Sequence, residues 1–283
     1  MPVELKHVTC TYSPGTSQEI RAVTDLSLKI QDGEFVAVMG RTGSGKSTLI
    51  QLVAGLLEPD SGQVLLDGLD IHARGYDRSA LRRRVGIVFQ YPEYQLFEIT
   101  VEKDVAFGLK HSGLKPEEIS LRVRLALERM GFSFEEIRKE SPLCLSGGEK
   151  RRVAIAGILA AHPGILILDE PVAGLDPLAR REFLQMIRQF QEEGMTVIMV
   201  SHNADAVAEY AGRVLVMAEG RLEMDGDTRT VMSDLQRLRS LHLDTSAAGQ
   251  AAELLRQRGV EIPDQTVRYD ELLGALTEMM VKS

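Results

Sequence analysis

Along the chain, short apolar runs alternate with stretches whose apolar residues recur at helical spacing. FVAVMG (35–40), VGIVF (85–89), ILILD (165–169), TVIMVS (196–201) and RVLVMA (213–218) read as strands. Three of them are apolar throughout, the pattern of strands buried on both faces of a largely parallel sheet. KSTLIQLVAG (46–55) and EKRRVAIAGILAA (149–161) read as helices. The N-terminal segment differs: VELKHVTCTY and LSLKI alternate apolar and polar residues, as a half-exposed antiparallel sheet does.

From about 93 to 148 the strand pattern stops, and EEISLRVRLALERMGF is strongly helical. This segment reads as a helical insert in an α/β core; with the helix that follows, the helical subdomain spans about 93–160. Past Asp227 the chain is helical again in TVMSDLQRLRSLHL, AAGQAAELLRQRG and YDELLGALTEMMV. Leu235, Leu238 and Leu241 share one helical face, and Leu272, Leu276 and Met279 another. The expected organisation is an α/β domain over 1–227 and a small helical appendage over 228–283, without low-complexity linker or internal repeat. Exposed leucine faces on that appendage favour a helix-to-helix contact, in a dimer or with a regulator.

Composition narrows the class without naming it. Of 283 residues, 44% are hydrophobic and 26% charged, ordinary for a globular protein with a full core. A net charge of -8 argues against non-specific nucleic-acid binding, which needs a basic footprint. Cys10 and Cys144 have no CxxC or histidine spacing and read as reduced structural thiols. No apolar run approaches the roughly 18 residues of a membrane-spanning helix. MPVELKHVTC lacks a signal-peptide pattern. The expectation is a soluble protein able to dock onto a membrane protein.

GRTGSGKS (40–47) fits the pattern G-x-x-x-x-G-K-[ST], entered by a buried strand and left by a helix from Lys46. Gly40, Arg41, Thr42, Gly43, Ser44, Gly45, Lys46, Ser47 and Thr48 form the expected cradle. Glycines let successive backbone N–H groups turn inward around a phosphate, and the helix N-terminus adds its positive end. In such a loop Lys46 would bridge the β- and γ-phosphates and Ser47 would hold Mg²⁺. Taken alone the motif says nucleotide binder, since GTPases, kinases and motors share it. ILILDEP (165–171) supplies the second half: Asp169 emerges at the carboxyl end of a buried strand and would hold Mg²⁺ through water. Glu170 follows, placed to orient or deprotonate the attacking water.

LSGGEKRR (145–152) sets Ser146 and Glu149 at the spacing of a capping box. Capping does not account for Gly147 and Gly148, each of which costs about 0.5–1 kcal/mol against Ala in a first turn. Two glycines make sense where a phosphate must approach a bare helix end closely. Because the chain already has one phosphate loop, this second helix end should serve a nucleotide bound elsewhere.

With these motifs the sequence resembles the ATP-binding cassette (ABC) ATPases, over essentially residues 3–225. The resemblance implies a P-loop core with an antiparallel β subdomain and a helical insert. It also implies a head-to-tail dimer in which the Ser146, Gly147, Gly148 and Glu149 end of one subunit closes over the ATP of the other. Glu149 stands where Gln is commonest in that family, and it keeps the cap. By the same resemblance Tyr12 stacks on adenine, though an edge-strand tyrosine is the alternative. Gln90 contacts Mg²⁺ and the water site, Asp176 lies in the loop that communicates across the dimer, and His202 reaches the γ-phosphate.

The stretch VFQYPEYQLFEITVEKDVAFG (88–108) crowds aromatic and apolar residues behind a turn-forming proline. Together with LSGGEKRRVAIAGILA and the tail LLRQRGVEIPD…VRYDELLGAL it resembles the ATPases of energy-coupling factor (ECF) transporters, nearer the second of the two paired ATPases. That resemblance implies an ATP-hydrolysing subunit of a vitamin or transition-metal importer, on the cytoplasmic face of the cell membrane. The implied partners are a second ABC ATPase (paralogue or second copy), a transmembrane coupling protein docking at residues 91–97, and a small membrane substrate-binding subunit. Tyr94, Gln95 and Phe97 are expected to face that coupling protein, while the rest of 91–97 packs the insert onto the core. The appendage is then expected to add dimer contacts. Two alternatives remain open here: an ATPase of another ABC importer or exporter, and a soluble non-transport ABC protein.

Overall fold

The computed structural model describes residues 2–110 and 112–282, so His111 lies outside it. In chain order its strands are β1 (Val3–Tyr12), β2 (Ile20–Ile30), β3 (Phe35–Met39), β4 (Ser61–Leu66), β5 (Leu69–Asp70), β6 (Val85–Val88), β7 (Ile165–Asp169), β8 (Thr196–Val200), β9 (Arg213–Ala218) and β10 (Arg221–Asp227). They form two sheets, one in the order β2-β1-β4-β5 and one in the order β10-β9-β3-β8-β7-β6. The first is antiparallel throughout. In the second, β9, β3, β8, β7 and β6 run parallel and β10 closes one edge antiparallel.

The burial pattern explains the apolar runs. Every residue of β3 and β8 is buried, as are the first four of β7, because layers cover both faces of the parallel sheet. One face packs against the antiparallel sheet through Val36, Val38, Ile165, Ile167, Leu5 and Val23. The other, through Ala37, Met39, Leu166 and Leu168, shares a core with the helical insert. Sequence patterning missed β4, β5 and β10. β10 carries RLEMDGD at a half-exposed edge, and β4 opens on the exposed residues Ser61, Gly62 and Gln63. Neither presents the alternation of a half-buried strand.

Within the insert, the helices Val101–Ala106 and Pro116–Arg129 pack on the helix Gly147–Leu159, and Phe134–Ile137 packs on Pro116–Arg129. That last helix buries Val153, Ile155, Ala156 and Leu159 together with Arg151, so it fastens the insert to the sheet. Cys10 is buried, whereas Cys144 is exposed just ahead of this helix and is no structural thiol.

The leucine faces of the tail are spent inside the chain. Leu238, on the helix Leu235–Ser240, has no exposure and joins Val231 and Met232 in the main core. Leu272, Leu276 and Met279 instead form a small cluster of their own with Ala248, Ala252 and Ile262. Among the described residues of the tail, the large hydrophobic side chains left exposed include Leu254, Tyr269, Leu273 and Met280. Leu238→Ala should therefore cost about 2–5 kcal/mol in urea unfolding, while Leu273→Ala stays within about 0.5 kcal/mol. Equal, small effects would mean that the helix Leu235–Ser240 is not part of the core.

Candidate nucleotide site

Ligands of parallel sheets sit beyond the carboxyl ends of the strands. The neighbours β3, β8, β7 and β6 end on one side of the sheet. They deliver in turn the loop from Gly40, then Ser201 and His202, then Asp169 and Glu170, then Gln90.

The loop's glycines answer to different constraints. A Cβ at Gly40 would stand 2.4 Å from the Met217 carbonyl oxygen, and one at Gly45 would stand 2.3 Å from that of Ala22. Close packing of the loop on β9 and β2 therefore requires both. Lys46 Nζ donates to the carbonyls of Gly40 (2.7 Å) and Arg41 (2.9 Å), across the mouth of the loop. The helix Lys46–Val53 has no acidic residue in its first turn and no side-chain cap, so its positive end is unopposed. Ser47 is exposed at that end, while Ser44 is buried with its hydroxyl oxygen lacking a hydrogen-bond partner. An open helix end, an orphaned hydroxyl and backbone too tight for side chains fit a phosphate. Tyr12, at the end of β1, lies 3.3 Å from the Thr48 hydroxyl and donates to Gln51 Oε1 at 3.3 Å, leaving its ring on the surface beside the loop.

Glu170 adopts φ +49°, unusual for a residue with a side chain and a form of strain that clusters at functional sites. Its N–H donates to the Val200 carbonyl at 3.0 Å, which holds it against the end of β8. Its Oε2 lies 2.8 Å from His202 Nδ1 and 3.4 Å from the His202 N–H. The His202 ring is otherwise open to solvent. Burial pushes the Asp169 carboxyl above its ordinary range, with Glu170 adding to the rise and Lys46 opposing it. Burial likewise pulls Lys46 down, against the attraction of Glu170 and Asp169. The three groups thus form one electrostatic cluster short of positive charge, suited to a metal ion. Among the described residues no three His, Cys, Asp or Glu side chains group into a metal site by themselves. The donors at hand for a cation shared with phosphate are Asp169, the Ser47 hydroxyl and the Gln90 amide.

Ser146 and Glu149 make the expected capping box on the helix Gly147–Leu159. Ser146 N–H and Oγ donate to Glu149 Oε2 at 2.9 and 2.7 Å, and Glu149 N–H donates back at 3.3 Å. Hydrogen bonds from the Ser146 hydroxyl and N–H hold the Glu149 carboxyl below its ordinary range. A Cβ on Gly147 or Gly148 would meet nothing within 4 Å, so no contact within the chain demands glycine at either position. This helix end borders a cavity of about 480 Å³ with Arg129, Arg152 and Glu182, and no phosphate-loop residue lines it. Asp176 also has a local task, capping the helix Pro177–Glu192 by accepting from Leu178 and Ala179 N–H at 2.9 and 3.0 Å.

Gln90 is exposed, and Tyr91 after it turns the chain with φ +55°. Pro92 points inward and Leu96 packs on the core, while Tyr94 (84% exposed) and Phe97 (63%) point out. Ile99 and Phe107, which the sequence did not single out, extend that exposed patch. Phe107 meets Phe97 edge to face with centroids 4.7 Å apart, and Lys110 Nζ lies over the Phe107 ring, 4.4 Å from its centroid. Helical spacing gave no sign of this pair because it joins two separate turns.

Strand order, phosphate loop and emergent carboxylates together define a P-loop nucleotide hydrolase. Residues 23–173 match the family model described as ABC transporter. The chain is 49% identical to the energy-coupling factor transporter ATP-binding protein EcfA2 of Symbiobacterium thermophilum, over 98% of its own length and 96% of that protein's. It is 44% identical to the protein of the same name from Clostridium acetobutylicum, over 93% and 92% of the two chains. Among solved structures it is similar to cbiO1 from Clostridium perfringens, part of the ABC transporter complex cbiONQ (TM-score 0.74, 38% identity, 89% of this chain and 98% of that one). It is also similar to the ATP-binding cassette MJ0796 in a dimeric post-hydrolysis state bound to ADP and Pi (TM-score 0.70, 31% identity, 80% and 98%). The chain belongs to the ABC transporter family of ATPases, within its group of energy-coupling factor ATP-binding proteins.

Glu170→Gln should keep nucleotide affinity and lower turnover by about 10²–10⁴, the usual share of a positioned base. Measured single-turnover hydrolysis at the unaltered rate would remove Glu170 from that role.

Proposed function

We propose that this chain is the ATP-hydrolysing subunit of an energy-coupling factor importer for a vitamin or transition-metal ion, working from the cytoplasmic face of the cell membrane. The observation that carries the reading is the pairing of Glu170 with His202 beside Lys46 and Asp169, while the open Gly147–Gly148 helix end borders a cavity of its own. Half of an ATP site lies at each place, and a second subunit completes both.

In this reading the backbone of 40–48 and Lys46 bind the β- and γ-phosphates, and the Tyr12 ring stacks on adenine. Ser47, Asp169 and Gln90 would hold Mg²⁺, which when bound neutralises charge between the β- and γ-phosphates. Glu170 takes the proton of the attacking water, and His202, hydrogen-bonded to it, orients the carboxylate and reaches toward the γ-phosphate. The partner's copy of the capped end at 146–149 closes over the nucleotide, and the loop ending on Asp176 reads that closure across the dimer. ATP binding closes the pair; hydrolysis and phosphate release reopen it.

Residues 1–227 act as the nucleotide-binding domain and 228–283 as an appendage whose exposed Leu254, Tyr269, Leu273 and Met280 make dimer contacts. The dimer partner is a second ABC ATPase. Among the described residues no helix is long and apolar enough to cross a membrane. In this reading the membrane partner is a transmembrane coupling protein. It docks on Tyr94, Gln95, Phe97, Ile99 and Phe107, and a small membrane subunit binds the cargo. A chain with net charge -8 is not suited to nucleic acid.

Affinity capture of the tagged chain from solubilised native membranes tests this. The expected companions are a second cassette ATPase, one coupling protein and small membrane binding proteins. Phe97→Ala should lower recovery of the coupling protein by at least about tenfold, the share of one aromatic anchor, and keep the second ATPase. Two ordinary permease subunits would move the chain to another class of ABC transporter, and full recovery with Phe97→Ala would displace the docking face.

A further inference from the structure

The segment behind Gln90 and the segment behind Glu170 meet across one side chain. Arg151 points inward from the helix Gly147–Leu159 and is 5% exposed, the one charged residue among the described ones that is buried to this degree. Its Nη1 donates to the Ala173 carbonyl at 3.1 Å, three residues beyond Glu170. Its Nε stands 3.7 Å from Glu93 Oε2, an ion-pair distance too long for a hydrogen bond. Arg151 Nη2 and Glu93 Oε2 are both buried without a hydrogen-bond partner. Beside them the Tyr91 ring lies 3.8 Å from where a Cβ of Gly174 would stand. Burial pulls the guanidinium's pKa down, and Glu93 and then Tyr91 oppose it.

A guanidinium is a rigid fork of five donors, and a buried ion is costly unless its donors are filled. Here one bond is good, one contact is stretched, and a donor and an acceptor that suit each other are both unused. An inward movement of Glu93 by about 1 Å would bring it to charge-assisted hydrogen-bond distance. The contact is in its long form here, with room to close, and the turn that carries Glu93, Pro92–Gln95, also carries the exposed Tyr94.

We propose that Arg151 is a positioning residue that carries displacement of the docked Pro92–Gln95 turn to the segment 170–176 through the Ala173 carbonyl. Occupation of the docking face draws Glu93 onto the fork, and the fork in turn holds Ala173, setting Glu170 and Asp176. This rests on the transporter reading, because it needs a coupling protein to press on the turn.

The test uses the assembled transporter, comparing ATP hydrolysis by the ATPase pair with and without its coupling protein. Arg151→Gln and Glu93→Gln should each lower the stimulation about tenfold, and the double variant should lose no more than either alone. Arg151→Lys, a point charge that cannot hold two partners as a fork does, should lose stimulation similarly with KM for ATP within about twofold of the parent. Multiplying losses in the double variant, or full stimulation with Arg151→Lys, would overturn the relay while the assembled complex leaves the transporter reading intact. Failure of the unaltered chain to assemble with any coupling protein would instead overturn the reading on which the relay stands.

Discussion

A strand buried on both faces can carry no charge along its length, and this constraint organises the molecule. β3, the first four residues of β7 and β8 beyond Thr196 are apolar and buried, and no residue along them is charged, so charged groups begin only where each strand ends. Because β3, β8, β7 and β6 are neighbours, four chain ends far apart in sequence meet along one edge of the sheet. Lys46, Asp169 and Glu170 are held there together: burial raises the Asp169 carboxyl and lowers Lys46, with Glu170 adding to the first shift and both carboxylates opposing the second. The strain at Glu170 and the tight backbone at Gly40 and Gly45 are the local cost of bringing charge up to a packed core.

The second recurring theme is that residues assigned to the partner's nucleotide already have work in their own chain. Ser146 and Glu149 cap one helix, and Asp176 caps another. Capping fixes the direction of each helix start and leaves its remaining N–H groups free for an anion. The glycines at 147 and 148 are different, since nothing in the chain crowds them. Their smallness has meaning only toward something that arrives from outside.

Local order in the sequence made much of this legible. The phosphate loop and the Asp169–Glu170 pair each sit within a few residues of a buried strand, so pattern and chemistry coincide. The capping box was equally plain. What depends on distant partners was not: the Glu170–His202 contact spans 32 positions, and His202 stood out only through family resemblance. Arg151 lies between Lys150 and Arg152 with nothing in the sequence to set it apart, although it alone of the three is buried. β10 was missed because an edge strand with polar residues lacks the alternation of a half-buried one. The tail leucines read as an exposed face because periodicity tells that a face is apolar, not what covers it, and Leu238 turned out to be covered by the main core.

The central claim is that one chain holds two halves of different ATP sites. Its most direct test is the hydrolysis rate per chain across a dilution series, alone and with the second cassette ATPase titrated in. A composite site predicts a rate per chain that falls on dilution and is restored by the partner to saturation. A rate per chain that stays constant to the lowest concentrations, with the chain monomeric throughout, would contradict it.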